Sequence, residues 1–178
     1  MQHAARTISG LALALTLAVL PAAAAGDGPV HGKGTWAAGG DLGFSEPIGA
    51  EEVDTSLVIG GYGEYFQTSQ LSYRGMLSFL SFDGPGKFGV DVVPITGNVV
   101  FQWEGKSVFP FVTGGIGLYF YRPDIGDSDL EFGVNFGGGA NFFFTKTVAL
   151  KLEGLFHGTT GKEPDSFFAG TAGVRFLF

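Results

Sequence analysis

The last fourteen residues, Asp165–Phe178, read DSFFAGTAGVRFLF. In an extended chain successive side chains point to opposite faces. Phe168, Gly170, Ala172, Val174, Phe176 and Phe178 then share one face, and Ala169, Thr171, Gly173, Arg175 and Leu177 share the other. One face is apolar and ends on an aromatic ring. The other carries small residues, a hydroxyl and a charge. A strand with hydrocarbon on one side and a polar lumen on the other requires this division.

Working backwards, the same alternation recurs. It predicts strands over about 34–44, 56–67, 71–82, 88–103, 108–121, 130–143, 147–156 and 166–178. Leu57, Ile59 and Tyr65 oppose Tyr62, Glu64 and Phe66; Leu71, Tyr73, Leu77 and Phe79 oppose Ser72, Arg74 and Ser78. In 88–103 the apolar phase changes, from Val90 and Val92 to Ile95, Val99, Phe101 and Trp103. A one-residue slip exchanges the two faces of a strand, and Pro within a sheet is found at bulges, so a bulge is expected at Pro94. The connectors alternate between short and longer, as short periplasmic turns and outer loops would.

The N-terminus has a basic start (His3, Arg6), an apolar run from Ile8 to Leu20, then Pro21 and Ala22–Ala25. The run is too short for a spanning helix, which needs about 20 apolar residues. It reads as a secretory signal, residues 1–25, with 26–178 as one mature domain. There is no Cys, which excludes a disulfide framework and lipoprotein acylation. A formal net charge of −7 argues against nucleic acid, which requires clustered Lys and Arg. The chain holds 31 Gly and 19 Phe, and that many aromatics argue against low-complexity disorder.

Alternation alone does not separate a membrane barrel from a soluble one. The export signal, the strand lengths and the sparsely charged polar faces favour the membrane, since a soluble exterior is about 25–35% charged. Aromatic girdles are expected at two rims: Trp36, Tyr65, Tyr73, Trp103, Phe142 and Phe178 at one, and Phe44, Phe79, Tyr119, Phe120, Phe132 and Phe156 at the other.

The terminal strand, with Phe168, Val174, Phe176 and the final Phe178, resembles the C-terminal signature of bacterial outer-membrane β-barrels. The whole mature chain is similar to the small OmpA-like and OmpX-like barrels. That resemblance implies an all-β, eight-stranded antiparallel transmembrane barrel, monomeric and embedded in outer-membrane lipid and lipopolysaccharide. It also implies that the barrel-assembly machinery reads the terminal strand. The peptidoglycan-binding module of full-length OmpA-type proteins is not expected.

A barrel of this size is just wide enough for side chains to fill. Asp41, Glu64, Asp91, Glu131 and Glu153, with Arg74, Lys151 and Arg175, are the candidate lumen charges. Buried charges need partners, so these are expected to pair. The function expected is structural, in envelope integrity, or interactive, through the outer loops. A second reading is OmpW-like passage of a small hydrophobic solute, with Phe66, Met76, Phe109, Phe111 and Tyr119 lining a pocket. A third is lipid A modification. The barrel palmitoyltransferase and deacylase families pair a His with a nearby Ser, whereas His157 is followed by Thr159 and Thr160 and is read as a rim residue. No enzyme activity, cofactor or metal is expected. Asp124, Asp127 and Asp129 read as a solvated acidic loop, with cation bridging to lipopolysaccharide as the alternative.

Overall fold

In the computed structural model, residues 31–48, 55–83, 89–124, 126–161 and 166–178 are described. The export signal read in 1–25 and the DGPGK connector beyond Asp83 lie outside them. Eight strands follow in order: β1 (Trp36–Pro47), β2 (Ser56–Phe66), β3 (Leu71–Asp83), β4 (Gly89–Gln102), β5 (Val108–Pro123), β6 (Asp129–Phe143), β7 (Val148–Thr159) and β8 (Ser166–Leu177). Each pairs antiparallel with its sequence neighbours, and β8 returns to β1 to close the barrel. At 11 to 16 residues, every strand reaches or exceeds the 9–11 or so that cross a bilayer at a tilt.

The β1–β8 seam is paired from Ala37–Leu177 to Pro47–Phe167 and extends to the chain's last residue. Trp36 N donates to Phe178 O and Phe178 N to Trp36 O, both at 2.9 Å. No edge of the sheet is left unpaired, and a barrel in hydrocarbon requires that. The end carrying this seam also carries the short turns, so it is the periplasmic end. Two of these turns are built on a threonine. Thr68 Oγ1 accepts from Leu71 N at 2.9 Å, and Thr145 Oγ1 accepts from Val148 N at 3.0 Å.

The outward band is apolar. Leu42, Ile59, Ile116 and Phe136 are each more than half exposed, which places them against lipid rather than water. Phe168, Val174, Phe176 and Phe178 also face outward, as alternation requires. Aromatic pairs lie on the same wall: Trp36 with Tyr65 and Phe101 with Trp103 near the periplasmic rim, and Phe136 with Phe156. Tyr119 departs from the girdle expectation. It is fully buried in the lumen.

The Pro94 bulge is absent. β4 keeps one register with β5 from Val90 to Gln102, and one register with β3 on both sides of Pro94. Even positions face inward throughout, from Val92 to Gln102. The phase appeared to change because the outer lumen is itself apolar, so inward Val90 and Val92 mimic a lipid-facing pair. The same correction moves Asp91 out of the lumen. It is exposed, opposite Arg122 and Ser81 at the outer rim.

Candidate functional site

The lumen is filled in three layers. At the periplasmic mouth Ala37, Phe66, Phe109, Phe143, Ala149 and Leu177 form an apolar cluster. Toward the outer end Val58, Leu80, Phe82, Val92, Tyr119, Tyr121, Phe167 and Ala169 form another. Between them lies a layer of charge.

Six of the eight candidate charges meet there, in strict alternation of sign. Asp41 Oδ2 lies 2.7 Å from Lys151 Nζ, and Lys151 Nζ 2.6 Å from Glu153 Oε2. Glu153 Oε1 lies 2.6 Å from Arg74 Nη1. Arg74 Nε lies 2.8 Å from Glu64 Oε2, and Glu64 Oε1 3.0 Å from Arg175 Nη2. Ser72 Oγ donates to Glu64 Oε1 at 2.5 Å. All six groups are buried, and their charges balance. Three cations beside three anions, each bonded, avoid the several kcal/mol per ion that an unpaired buried charge costs.

Aromatic rings complete this layer. The Arg74 guanidinium sits 5.0 Å from the Tyr62 ring and 5.1 Å from that of Phe111. Lys151 Nζ is 4.1 Å from the Tyr62 ring, and the Arg175 guanidinium 5.2 Å from that of Phe66. Such geometry adds cation–π attraction to the ion pairs. Gly39 makes room for Tyr62, and Gly173 for Asp41; a Cβ at either would strike those side chains and a neighbouring carbonyl.

Glu131 is buried but lies outside this chain, near the outer end, opposite Tyr119 and beside Gly161. His157 is not a rim residue. β7 runs on to Thr159, so His157 faces inward, buried, with Nδ1 2.8 Å from Tyr119 Oη and its ring stacked on Phe167. The five apolar residues proposed for a solute pocket do not share one. Phe66 and Phe109 close the mouth, Phe111 lies against Arg74, Tyr119 joins the outer cluster, and Met76 borders a cavity of about 20 Å³. That cavity, also lined by Asp41, Thr96, His157 and Thr171, has room for about one water. A larger hollow of about 790 Å³ includes Leu42, Phe44, Gly138, Gly154 and Gly170 on the outer wall. Of the acidic connector, Asp124 accepts from Gly89 N, and Asp129, the first residue of β6, accepts from Leu130 N. No metal-ligating cluster of His, Cys, Asp or Glu occurs among the described residues.

Sequence reasoning missed His31. It precedes the first strand, yet its ring enters the periplasmic mouth. Its centroid lies 5.4 Å from that of Phe66, 4.9 Å from Phe109 and 6.1 Å from Phe143. Gln102 Nε2 lies 2.8 Å from its Nε2. Burial, with the Arg175 charge behind it, holds His31 below its ordinary 6.5, against smaller opposing effects of Glu104 and Glu64. Periodicity gave no signal here, because a lead segment has no alternating pattern to read.

Solved structures share this architecture. The N-terminal β-barrel domain of Pseudomonas aeruginosa OprF superposes with a TM-score of 0.61 at 17% identity, covering 83% of this chain and 100% of that one. Neisserial surface protein A gives 0.62 at 14% identity, covering 81% and 96%. The outer membrane enzyme PagL gives 0.52 at 19% identity, covering 79% and 98%. At these identities the likeness is one of fold. No curated protein matches the chain. The family model for the outer membrane protein beta-barrel domain matches residues 10–176, nearly the whole sequence. The chain therefore belongs to the outer membrane protein β-barrel family, a bacterial outer-membrane barrel of eight strands.

Proposed function

We propose that this is a sealed barrel that acts through its outer surface and loops, in envelope integrity or surface interaction, rather than by passing solutes. One observation carries the reading: the six-membered ion chain crosses the lumen, with apolar clusters above and below it. Displacing any member strands a charge in a site without bulk water, so the resting lumen resists ions. Lipid-directed catalysis is not supported either. His157, the histidine nearest the outer rim, points inward onto Tyr119 and Phe167, away from any acyl chain on the wall.

The test is conductance in a planar bilayer, with the mature protein refolded and its barrel verified by heat-modifiable gel migration. A silent bilayer supports the reading; steady conductance overturns it. Complementation then divides the two roles. If a barrel with trimmed outer loops restores detergent resistance to a deletion strain, the role is in envelope integrity. If only the full-length loops restore the phenotype, the role is surface interaction.

A further inference from the structure

The ion chain does not end at Arg175. Arg175 Nη1 reaches Asn141 Oδ1 at 3.4 Å, Asn141 Nδ2 reaches Gln102 Oε1 at 3.0 Å, and Gln102 Nε2 reaches His31 Nε2 at 2.8 Å. Direction along this relay is forced. A guanidinium only donates, so Asn141 presents its carbonyl to Arg175 and its amide NH₂ to Gln102. Gln102 must then accept with its carbonyl and donate with its NH₂. The imidazole at the end is left to accept at Nε2, which puts the proton on Nδ1, a buried nitrogen with no hydrogen-bond partner among the described residues.

We infer that the periplasmic mouth is a binding site for a neutral imidazole ring, filled in cis by His31 as a tethered ligand. Three rings make the box, Phe66, Phe109 and Phe143, and one donor, Gln102 Nε2, sits in its floor. The lead is folded back to deliver the ring. Gly34 N donates to Phe66 O and Phe66 N to Thr35 O, both at 2.9 Å, and Gly34 takes a positive φ of 92° that favours glycine. Gly32 N donates to Thr35 Oγ1 at 3.1 Å. A protonated ring has no acceptor at Nε2 and would meet the Gln102 donor head-on.

The charges around the ring follow the same sense. Arg175 of β8 repels an imidazolium. Glu64 of β2 and Glu104 after β4 attract it, but Glu64 is engaged by Arg74 and Arg175, and Glu104 accepts from Ser69 at 3.0 Å. Arg175, Glu64 and Glu104 are the charges that act on the ring among the described residues. Burial and Arg175 together keep the docked ring neutral.

Two measurements test the site. In the refolded protein, nitrogen NMR of ¹⁵N-histidine-labelled material is expected to show His31 locked with Nδ1 protonated and Nε2 accepting. A ring averaging between tautomers, or fixed with the proton on Nε2, overturns the proposal. In His31→Ala, verified as folded by heat-modifiable migration, free imidazole is expected to shift the Gln102 side-chain amide and the Phe109 and Phe143 rings. Pyrrole, the same size but without an accepting nitrogen, should bind at least about tenfold more weakly, the value of one such hydrogen bond. Equal binding of both probes, binding of neither, or equal imidazole binding by the unsubstituted protein each overturns it. Should His31→Ala fail to fold, the tautomer measurement decides alone. None of these outcomes bears on conductance, so the sealed-barrel reading stands or falls separately.

Discussion

Arg74 Nη1 and Glu153 Oε1 lie 2.6 Å apart although they arise from β3 and β7, four strands apart in a ring of eight. The contact therefore spans the width of the lumen. Removing Arg74 would leave three buried anions facing two cations. Arg74→Gln is expected to destabilise the barrel by roughly 3–5 kcal/mol, measured by urea unfolding in lipid vesicles. Arg74→Lys should recover only part of that, because a single ammonium cannot reproduce the guanidinium fork that engages Glu64 and Glu153 together.

Asp91 supplies the contrast. It is exposed at the outer rim rather than in the lumen. Asp91→Asn should leave the urea midpoint unchanged, whereas Glu64→Gln, which takes the carboxylate partner of Arg175 and one of the two partners of Arg74, should lower it clearly. Equal effects would return Asp91 to the lumen and restore the Pro94 bulge.

Phe178 closes the seam with Trp36 through two backbone hydrogen bonds while its ring is exposed on the wall. We propose that the assembly machinery reads this strand. Deleting Phe178 should sharply reduce the heat-modifiable band in outer-membrane fractions. Refolding of the purified protein into detergent should lose much less. Equal losses in both would make the residue a stability element only.

His157→Ala is expected to leave lipid A unchanged by mass spectrometry, since the imidazole points into the lumen. It should cost about 1–3 kcal/mol, because Tyr119 loses its buried partner. A change in lipid A composition with the barrel intact would reinstate an enzymatic role.

The docking of His31 has a pH dependence whose sign is fixed. Its pKa is lowered when docked, while the released lead titrates near the ordinary 6.5. The released form therefore takes up the proton first. Docking is fully present above about pH 6.5 and weakens as pH falls through it. Hydrogen exchange at Gly34 and Phe66, whose amides are held by the folded-back lead, should rise on acidification beyond the intrinsic trend. His31→Phe should remove the pH dependence of that protection.

Strand number and the in-or-out sense of nearly every strand were legible from alternation, because a wall one residue thick forces the period on the sequence, whereas closure into a barrel came from the family resemblance. The ion chain was legible as a set of inward charges, although two of its eight expected members lie elsewhere. Asp91 was misassigned because inward Val90 and Val92 are indistinguishable by polarity from lipid-facing residues. Tyr119 was set in a girdle by its place near a strand end, although alternation also set it inward, where it lies. Periodicity tells which face a residue occupies, but not how the lumen changes character along its axis. The pairing partners were not legible, since Arg74 and Glu153 are 79 residues apart.

The six charges come from β1, β2, β3, β7 and β8, so both ends of the polypeptide contribute to one circuit. Asp41 enters with the first strand, and Lys151, Glu153 and Arg175 with the last two. A half-built sheet would hold these groups open-circuited beside hydrocarbon. The Arg74–Glu64 pair can form as soon as β2 meets β3, but the three pairs that join β1–β3 to β7 and β8 form only when the final hairpin docks. The ion chain is therefore complete only in the closed barrel: without the last two strands, Asp41 has no cation beside it and Arg74 keeps one carboxylate of two.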